Sequence, residues 1–584
     1  MPALGRPVAG SDWLQRQLPL LWMAPALLLV GLFLLWPLTE LVGLSFTSWD
    51  GYGAITFDGF RTWTSLFGDP NFQAAFRHTM LWTALCATLP VVGGFLLAVA
   101  FSRAGRGVGA VARALAVVPL LLPQTVVAAT WQIVYNPLYG PLDGTLRAIG
   151  LGGLALGWLG GSRLSFWSLF AVALWSSTGF SVLIFTAGIR TIDRSFFDLA
   201  RVEGANVRQE IVHVLIPACR RSAALALVIT VATTSNVLDL LRALTNGGPA
   251  NATIMLPLDM YNRSFSGGNV GQGAADACIE VAIGLGLAIV VLLLARKHAA
   301  LGGEGEYGEA GTRPVAMVAA LVAAFALILP LLWDVMAALT RGRTVAIEPL
   351  SVALRHPSLT PFLTSWQAGI GTGLWESLAV ASVVVAFSLL LALPAAFGLS
   401  RLKGRPLLRG VLLTLLLVTM LQPGETYIIP LFYLLLQLGL IDTATGLVLV
   451  EVSRTLPFTI ILLWLTMESL PGDILGAGEI DAGGGVRLLR SVIAPLTAPV
   501  AAAAALWVFV SSWSDYSLPT LLLSNSSLQT APMALTTFIG THDTQFNLLA
   551  AGTLWLVAPV IVALVVVYGP AARGLRAAGR ALSS

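Results

Sequence analysis

The chain has 584 residues, of which 57% are hydrophobic and only 11% are charged, and its formal net charge is +4. Soluble proteins carry about 25% charged residues, so this composition excludes a soluble globular protein and predicts an integral membrane protein. Many of its apolar stretches exceed the roughly 18 residues that a helix needs to cross the hydrocarbon core.

Twelve apolar segments are predicted to span the membrane as helices. Six lie in the first half of the chain, at 19–43, 78–101, 114–134, 165–189, 222–240 and 275–295. Six more lie in the second half, at 315–339, 372–399, 410–435, 443–468, 496–516 and 548–568. The predicted fold class is therefore an all-α membrane protein with about twelve transmembrane helices.

A polar, glycine-rich stretch separates the two sets of six spans. Residues 296–314 read RKHAALGGEGEYGEAGTRP, a composition typical of a flexible linker. We expect this linker to lie in the cytoplasm, between a first transmembrane domain at 1–295 and a second at 315–584.

Arginine and lysine are concentrated in several short loops, for example around Arg103, Arg296, Arg401 and Arg573. Cytoplasmic loops of membrane proteins carry such an excess of cations. We therefore expect a multi-pass protein of the cell (inner or plasma) membrane with both termini in the cytoplasm. This bias accounts for the basic charge of the chain, so no nucleic-acid partner is expected. The expected partner of the spans is membrane lipid.

The loop after the fourth span of each half carries charges that a span would not tolerate. Residues 198–217 read DLARVEGANVRQEIVHVLIP, and residues 476–495 read GAGEIDAGGGVRLLRSVIAP. A shift of 278 positions superimposes Pro217 on Pro495 and keeps an apolar triplet at i, i+3, i+4 spacing in each loop. Because each half has an even number of spans, both loops lie on one side, and the halves form a parallel repeat with a predicted translocation path between them.

Each loop is predicted to form a short helix, a turn such as the one expected at Gly204, and a second amphipathic helix that leads into the next span. One interpretation is an interfacial helix that only rests its apolar face on the membrane. The other is a docking site for a partner protein, which the common register of the two loops favours.

The two loops resemble the EAA motif of ABC importer permeases, roughly E-A-A-x3-G-x9-I-x-L-P. The matching positions are Asp198, Leu199, Ala200, Gly204, Val214, Ile216 and Pro217 in the first loop, and Gly476, Ala477, Gly478, Ala482, Val492, Ala494 and Pro495 in the second. Segments 244–275, 422–442 and 513–523 are similar to parts of the two permease subunits of carbohydrate-uptake importers. The resemblance thus covers nearly the whole chain, as two subunits fused end to end.

This resemblance implies a permease that forms the membrane path for a carbohydrate-like solute. It also implies two copies of a separate ABC ATPase on the cytoplasmic loops, and an extracytoplasmic solute-binding protein that delivers the cargo. ATP and Mg would be bound by the ATPase, and no cofactor is expected on this chain. The implied ATPase-docking residues are Asp198, Ala200, Arg201, Glu203, Gly204, Ala205, Pro217, Ala477, Glu479, Asp481, Ala482, Gly483 and Pro495.

Polar residues inside the predicted spans are candidates for the translocation path, because such groups are costly in hydrocarbon. The candidates are Trp175, Ser176, Ser235, Asn236, Asp239, Glu280, Glu425, Glu451 and Arg454. Structural alternatives remain, since Glu451 and Arg454 would neutralise each other on one helix face and Trp175 would serve packing. Glu425 follows a Pro-Gly pair, a predicted helix break that suits the wall of a cavity.

The sequence predicts a conduit and not an enzyme. No G-x-x-x-x-G-K-[ST] loop contains either lysine, Lys297 or Lys403, so ATP hydrolysis is expected on a separate subunit. The five histidines lack metal-ligand spacing, and no Ser-His-Asp arrangement is present. No catalytic residue, metal site or disulfide framework is expected, since Cys86, Cys219 and Cys278 all lie in or beside apolar runs.

Two rival functions stay open. An ion-driven secondary transporter would need acidic sites in both halves, but the positions 278 before Glu451 and Glu425 hold Ala173 and Arg147. An ABC permease for another cargo, such as ferric iron, thiamine or a polyol phosphate, is the narrower rival. The TNGGPANAT sequence at 245–253 favours a carbohydrate.

Overall fold

The computed structural model describes residues 9–138, 140–234, 237–296, 314–340, 357–421, 425–482, 485–523, 528–539 and 545–583. Within these ranges helices follow one another along the chain. An isolated antiparallel bridge between Thr47 and Phe57 is the strand-like pairing found there.

Twelve helical segments of the described residues, labelled α1 to α12, follow one another in two sets of six. The first set is α1 (Leu18–Leu44), α2 (Pro70–Arg103), α3 (Arg106–Val117 and Gln124–Val134), α4 (Ser165–Arg190), α5 (Arg220–Thr234 and Leu238–Leu244) and α6 (Val270–Arg296). The second set is α7 (Pro314–Ala338), α8 (Thr360–Ser400), α9 (Pro406–Leu421 and Ile428–Gln437), α10 (Ala444–Glu468), α11 (Gly485–Ser514 and Ser517–Leu522) and α12 (Phe546–Ser583). This arrangement confirms the predicted all-α membrane fold.

The twelve predicted spans all fall on these helices, but three of them are broken. Nine helices of the described residues are long and apolar enough to cross a membrane, and the two pieces of α3, bent by 103°, make a tenth candidate. Within the described residues the α-helical structure is interrupted at 118–123, 237 and 425–427, and the Pro-Gly pair before Glu425 had indicated the last of these interruptions. In α3 the break follows from Pro119 and Pro123, which remove backbone donors and clash with the preceding turn.

The repeat found in the sequence is visible in local structure. The turns Ile211–Leu215 and Leu489–Ile493 are both π-helical, and they lie 278 positions apart. The two halves also cap equivalent short helices in the same way. The Thr79 hydroxyl of α2 accepts a hydrogen bond from Leu256 N at 3.0 Å, and the Ser377 hydroxyl of α8 accepts one from Ala531 N at 2.8 Å.

One contact places the axis that relates the two halves. The Asp239 carboxylate of α5 accepts a hydrogen bond from Ser517 N of α11 at 2.9 Å, and these residues differ by the repeat shift of 278. A residue that contacts its own equivalent lies on a two-fold axis. Each half reaches this contact 22 residues after the end of its charged loop, at Pro217 and Pro495. The loops therefore lie at one end of the bundle, called the docking end below.

The first helix of each half packs against the other half. Helix α1 lies on α8 and α10, where Trp22 meets Phe397 edge to face at 5.6 Å between ring centroids. Helix α7 lies on α2 and α3, where the Thr130 hydroxyl donates to Asp334 at 2.5 Å. The predicted linker, 296–314, lies outside the described residues except for its two end residues.

Candidate functional site

Two charged segments at the docking end link α4 to α5 and α10 to α11. They are called the first docking segment (193–217) and the second docking segment (471–495), and they begin with the helices Arg194–Val202 and Gly472–Ala482. Asp193 caps the first of these helices by accepting a hydrogen bond from Ser195 N at 2.8 Å. This hydrogen bond lowers the pKa of the Asp193 carboxyl below its usual value.

A glycine turn joins the two helical parts of each docking segment. Gly204 has a φ of +73°, a left-handed conformation that costs glycine little, and Asn206 and Gln209 then form a reciprocal capping box with bonds of 2.9 and 2.8 Å. Among the described residues of the second segment, Gly485 is left-handed, with a φ of +61°, whereas Ala482, which aligns with Gly204, is not. The turn is kept, but it lies three residues later.

Large apolar side chains are exposed at equivalent positions of both docking segments. Val202 and its equivalent Ile480 are each 85% exposed, and Phe196 and its equivalent Ile474 are 53% and 41% exposed. These residues lie next to charged ones outside the spans. Exposed apolar side chains rimmed by charges are typical of surfaces that bind another protein.

The predicted docking residues mostly lie on this surface. Exposed to solvent are Asp198, Glu203, Gly204, Ala477, Glu479, Asp481 and Pro495. Half-buried are Ala200, Ala205 and Pro217. Arg201 and Ala482 belong to the two docking helices, and Gly483 lies outside the described residues.

An ion pair connects each docking segment to the second helix of its own half, which is α2 in the first half and α8 in the second. Arg103 at the end of α2 pairs with Glu210 at 2.9 Å, and their side chains are only 4% and 6% exposed. Arg401 at the end of α8 pairs with Glu479, and these side chains are 34% and 45% exposed. Each segment is therefore held by an arginine at the end of an equivalent helix. The two glutamates that bind these arginines are not at equivalent positions, and the first ion pair is more buried than the second.

A second group of charged residues lies between the halves, near the axis. It is called the axis cluster and comprises Asp239, Glu425, Glu451, Arg454 and Asp515. Arg454 pairs with Asp515 at 2.5 Å, while Glu451 accepts a hydrogen bond from the Ser512 hydroxyl. The expected neutralisation of Glu451 by Arg454 is thus replaced by a pair between α10 and α11, because Asp515 follows the break in α11 and faces Arg454.

Two buried carboxylates extend the axis cluster from one half to the other. Glu280 of α6 and Glu425 at the break in α9 are 5% and 7% exposed, and their charges repel each other. One oxygen of each, Oε2, has no hydrogen-bond partner. Acceptors left without a donor in an apolar bundle suit a polar cargo that can donate hydrogen bonds.

The remaining path candidates lie elsewhere. Trp175 is buried and donates its indole N–H to Leu327 O at 3.0 Å, which fixes α4 to α7. The buried Ser176 hydroxyl donates to Ala173 O within its own helix. Both placements favour packing. Ser235 and Asn236 lie outside the described residues.

Two residues near the axis, Tyr516 and Arg242, were not recognised from the sequence, whereas Asp515 is one of the ionisable groups within the predicted spans. Asp515 and Tyr516 form the break in α11, and the Arg242 guanidinium stacks on Tyr261 at 4.3 Å and faces Tyr516 at 5.4 Å from the ring centroids. The signal that could have found them was the repeat itself, because residues near a two-fold axis come from equivalent positions. Within the described residues no cluster of histidine, cysteine and carboxylate side chains could hold a metal ion.

Comparisons with known proteins agree with this architecture. The family model described as "Binding-protein-dependent transport system inner membrane component" matches residues 90–297. The chain is also 30% identical over 275 residues to the probable ABC transporter permease protein YurN of Bacillus subtilis, a match that covers 47% of this chain and 94% of YurN.

Two other relatives also match about half of this chain and most of their own length. The sn-glycerol-3-phosphate transport system permease protein UgpA of Brucella abortus is 29% identical over 46% of this chain and 92% of its own length. The diacetylchitobiose uptake system permease protein NgcF of Streptomyces coelicolor is 27% identical over 47% of this chain and 80% of its own. A solved bacterial ABC transporter that imports alginate matches 50% of this chain and 98% of its own, with 18% identity and a TM-score of 0.42.

Proposed function

We propose, since this chain belongs to the family of ABC transporter permeases, that it forms the membrane path of an importer for a carbohydrate-like solute. The chain matches nearly the whole of YurN with less than half of its length. Together with the parallel repeat, this supports two permease domains in one chain, 1–295 and 315–584, joined by the linker 296–314.

The observation that carries the proposal is the pair of equivalent docking segments at one end of the bundle. Val202 and Ile480 expose matching apolar surface at positions related by the repeat. A surface that occurs twice about a two-fold axis suits two copies of one partner. We infer that this partner is an ABC ATPase, which binds ATP and Mg, so that this chain needs neither cofactor.

The proposed orientation follows from the same surface. An ATPase at the docking end needs ATP, which is found in the cytoplasm. The docking end and both termini would therefore face the cytoplasm, as the distribution of cations predicts. The opposite end of the bundle would then receive cargo from an extracytoplasmic solute-binding protein. Closure of the two ATPase copies would move the docking segments and rock the halves about the axis, which gives alternating access.

The axis cluster favours a neutral cargo. With Glu280 and Arg242 beside it, five carboxylates face two arginines between the halves, and Arg454 is already paired with Asp515. Sugar hydroxyls would donate to the unpartnered oxygens of Glu280 and Glu425, whereas an ionised phosphate group cannot donate to them and would need a cation in their place. We therefore favour a neutral carbohydrate over a polyol phosphate.

A reconstitution experiment tests the docking role. The chain would be placed in vesicles with its candidate ATPase and binding protein, and both co-purification and cargo-stimulated ATP hydrolysis would be measured. The double variant Val202→Asp and Ile480→Asp should lose most of the bound ATPase. The control is Phe57→Asp, an 80% exposed residue between α1 and α2 at the opposite end, which should retain it. ATPase binding that survives the double variant would refute the docking surface.

The same vesicles test the energy source and the cargo. Uptake should require ATP and the binding protein, and neutral sugars should be taken up in preference to their phosphorylated forms. Uptake that follows a proton or sodium gradient without ATP would instead support a secondary transporter.

A further inference from the structure

An apolar groove opens on the second half, beginning at the end of the second docking segment and lined by none of the residues of the axis cluster. Its volume is about 290 Å³, and it lies between α8, α10 and α11. Its lining is made mostly of leucine and alanine and includes Leu393, Leu463, Ala494, Thr497 and Ala505. All three helices are candidate membrane spans, so the groove faces hydrocarbon and not water.

The lining offers no polar group to an occupant. Thr497 supplies the one hydroxyl, and it donates to Ile493 O of its own helix at 2.9 Å. Water needs two or more polar partners to remain in a cavity, so this groove suits an apolar occupant. Along α11 the groove extends from Ala494 to Ala505, a rise of about 16 Å. This is about half of the hydrocarbon thickness and matches one leaflet.

The corresponding place in the first half is filled by protein. Leu463 is equivalent to Phe185 by the shift of 278, and Leu393 is equivalent to Phe95 by the spacing of 298 that relates α2 to α8 in the pairs Thr79 and Ser377, and Arg103 and Arg401. Phe95 and Phe185 pack edge to face at 5.2 Å between ring centroids. Ala505 is equivalent to Leu227. The groove therefore exists in the second half because three larger side chains of the first half are replaced by smaller ones.

Positive charge lies at the docking end of the groove. Arg487 and Arg490 are exposed in the first turns of α11, and Arg490 precedes the lining residue Ala494 by one turn. Residues 485–514 contain no aspartate or glutamate. A helix N-terminus with two arginines attracts an anionic group such as a lipid phosphate.

We propose that this groove binds one acyl chain of an anionic phospholipid, whose headgroup phosphate lies at Arg487 and Arg490. The lipid belongs to the leaflet at the docking end, and it completes the packing that Phe95 and Phe185 provide in the first half. The occupant is thus a membrane lipid and not the proposed cargo, and its phosphate lies at the end of the second docking segment, beside the proposed ATPase surface.

Photolabelling of the full chain in lipid nanodiscs tests the site. The probe is a phosphatidylglycerol with a photoreactive group on one acyl chain, and labelled peptides are mapped by mass spectrometry. In the wild type, labels should be concentrated in residues 494–505. Leu393→Phe and Ala505→Leu, which restore the side chains of the first half, should each reduce this labelling several-fold.

Leu390→Phe is the matched control, because Leu390 lies on the same helix, is 66% exposed and does not line the groove. It should label as the wild type does. Arg490→Gln should reduce labelling by phosphatidylglycerol towards the level given by a phosphatidylcholine probe. The proposal is overturned if Leu393→Phe and Ala505→Leu both retain wild-type labelling, if Leu390→Phe loses it equally, or if phosphatidylcholine labels the wild type as strongly as phosphatidylglycerol.

Discussion

At the scale of single residues, the two docking segments are held by unequal ion pairs. Arg103 and Glu210 are both buried, whereas Arg401 and Glu479 remain partly exposed. Water screens an exposed pair, so it contributes about 1 kcal/mol or less. Removal of one member of a buried pair leaves the other charge in a medium of low dielectric constant and costs about 3–5 kcal/mol.

We therefore expect Glu210→Gln to destabilise the chain much more than Glu479→Gln. The two substitutions have the same size and chemistry, so each serves as the control for the other. Thermal unfolding in detergent should give a clearly lower melting temperature for Glu210→Gln and a near wild-type value for Glu479→Gln. Equal losses in the two variants would show that burial of the first pair adds nothing.

A second network lies at the end of the bundle opposite the docking end. Asp69 caps α2 by accepting from Asn71 N at 2.8 Å, and its other oxygen lies 2.8 Å from the Arg263 guanidinium, which also binds Asp259. Burial raises the pKa of Asp69, but the bonds from Asn71 and Arg263 outweigh it and hold this pKa below its usual value.

A lowered pKa makes the stability contributed by Asp69 dependent on pH. The contribution is complete above the unfolded value of about 4 and is lost as the pH falls through the lower folded value. Asp69→Asn keeps a capping oxygen but lacks the charge. The melting temperatures of the wild type and this variant should differ near neutral pH and converge in acid. A difference that stays constant down to about pH 3 would contradict the role of the charge.

The sequence could predict which residues are ionisable and intramembrane, but not their partners. Asp239, Glu280, Glu425, Glu451 and Arg454 do meet near the axis. Their pairing depends on helix breaks that rotate Asp515 and Ser517 into contact, and such rotations are set by tertiary packing. For Trp175 the sequence could not predict even the role of the side chain. An aromatic residue in a span has the same local sequence pattern whether it faces cargo or another helix.

At the scale of elements, close helix contacts depend on small residues. A Cβ on Gly398 of α8 would lie 2.4 Å from Pro19 O of α1, so the two helices could not keep their present distance. A Cβ on Gly410 of α9 would have no neighbour within 4 Å, so a side chain there meets open space.

Gly398→Ala should therefore destabilise the chain, by about 1–3 kcal/mol as for other overpacked contacts. Gly410→Ala should be neutral or slightly stabilising, since alanine is the better helix former. Melting temperatures of the two alanine variants in the same detergent provide the comparison. A Gly398→Ala protein as stable as the Gly410→Ala protein would mean that α1 can move away from α8 without cost.

The element positions were predictable because membrane spans are long apolar runs, and all twelve fall on helices. The breaks in α3 and α5 were not predicted, because hydropathy averages over a window and does not register the direction of the chain, whereas the Pro-Gly pair before Glu425 indicated the break in α9. The turns of the docking segments followed from glycine. The sequence also showed the glycines of the second segment displaced towards Gly485, where the left-handed turn is found.

At the scale of the whole molecule, the two halves share their helices. The sequence predicted the parallel repeat, and the contact between Asp239 and Ser517 confirms it. The exchange of α1 and α7 between halves was not predicted, because hydropathy gives the length of a helix but not its neighbours. The proposed domain boundaries therefore separate two parts of the chain, but each part packs one of its helices against the other part.

This exchange predicts that a chain cut within the linker still assembles. Parts 1–305 and 306–584, produced together, should co-purify and retain transport, because α1 lies on the second half and α7 on the first.

Ala320→Phe, on the face of α7 that packs against Phe101 and Ala112, should weaken this association. The covalent chain should tolerate the same change better, since the linker keeps the local concentration of α7 high. Val322→Phe, on the exposed face of α7, is the control and should leave the parts together. Parts that separate without any substitution would show that the linker, and not the exchanged helices, holds the halves together.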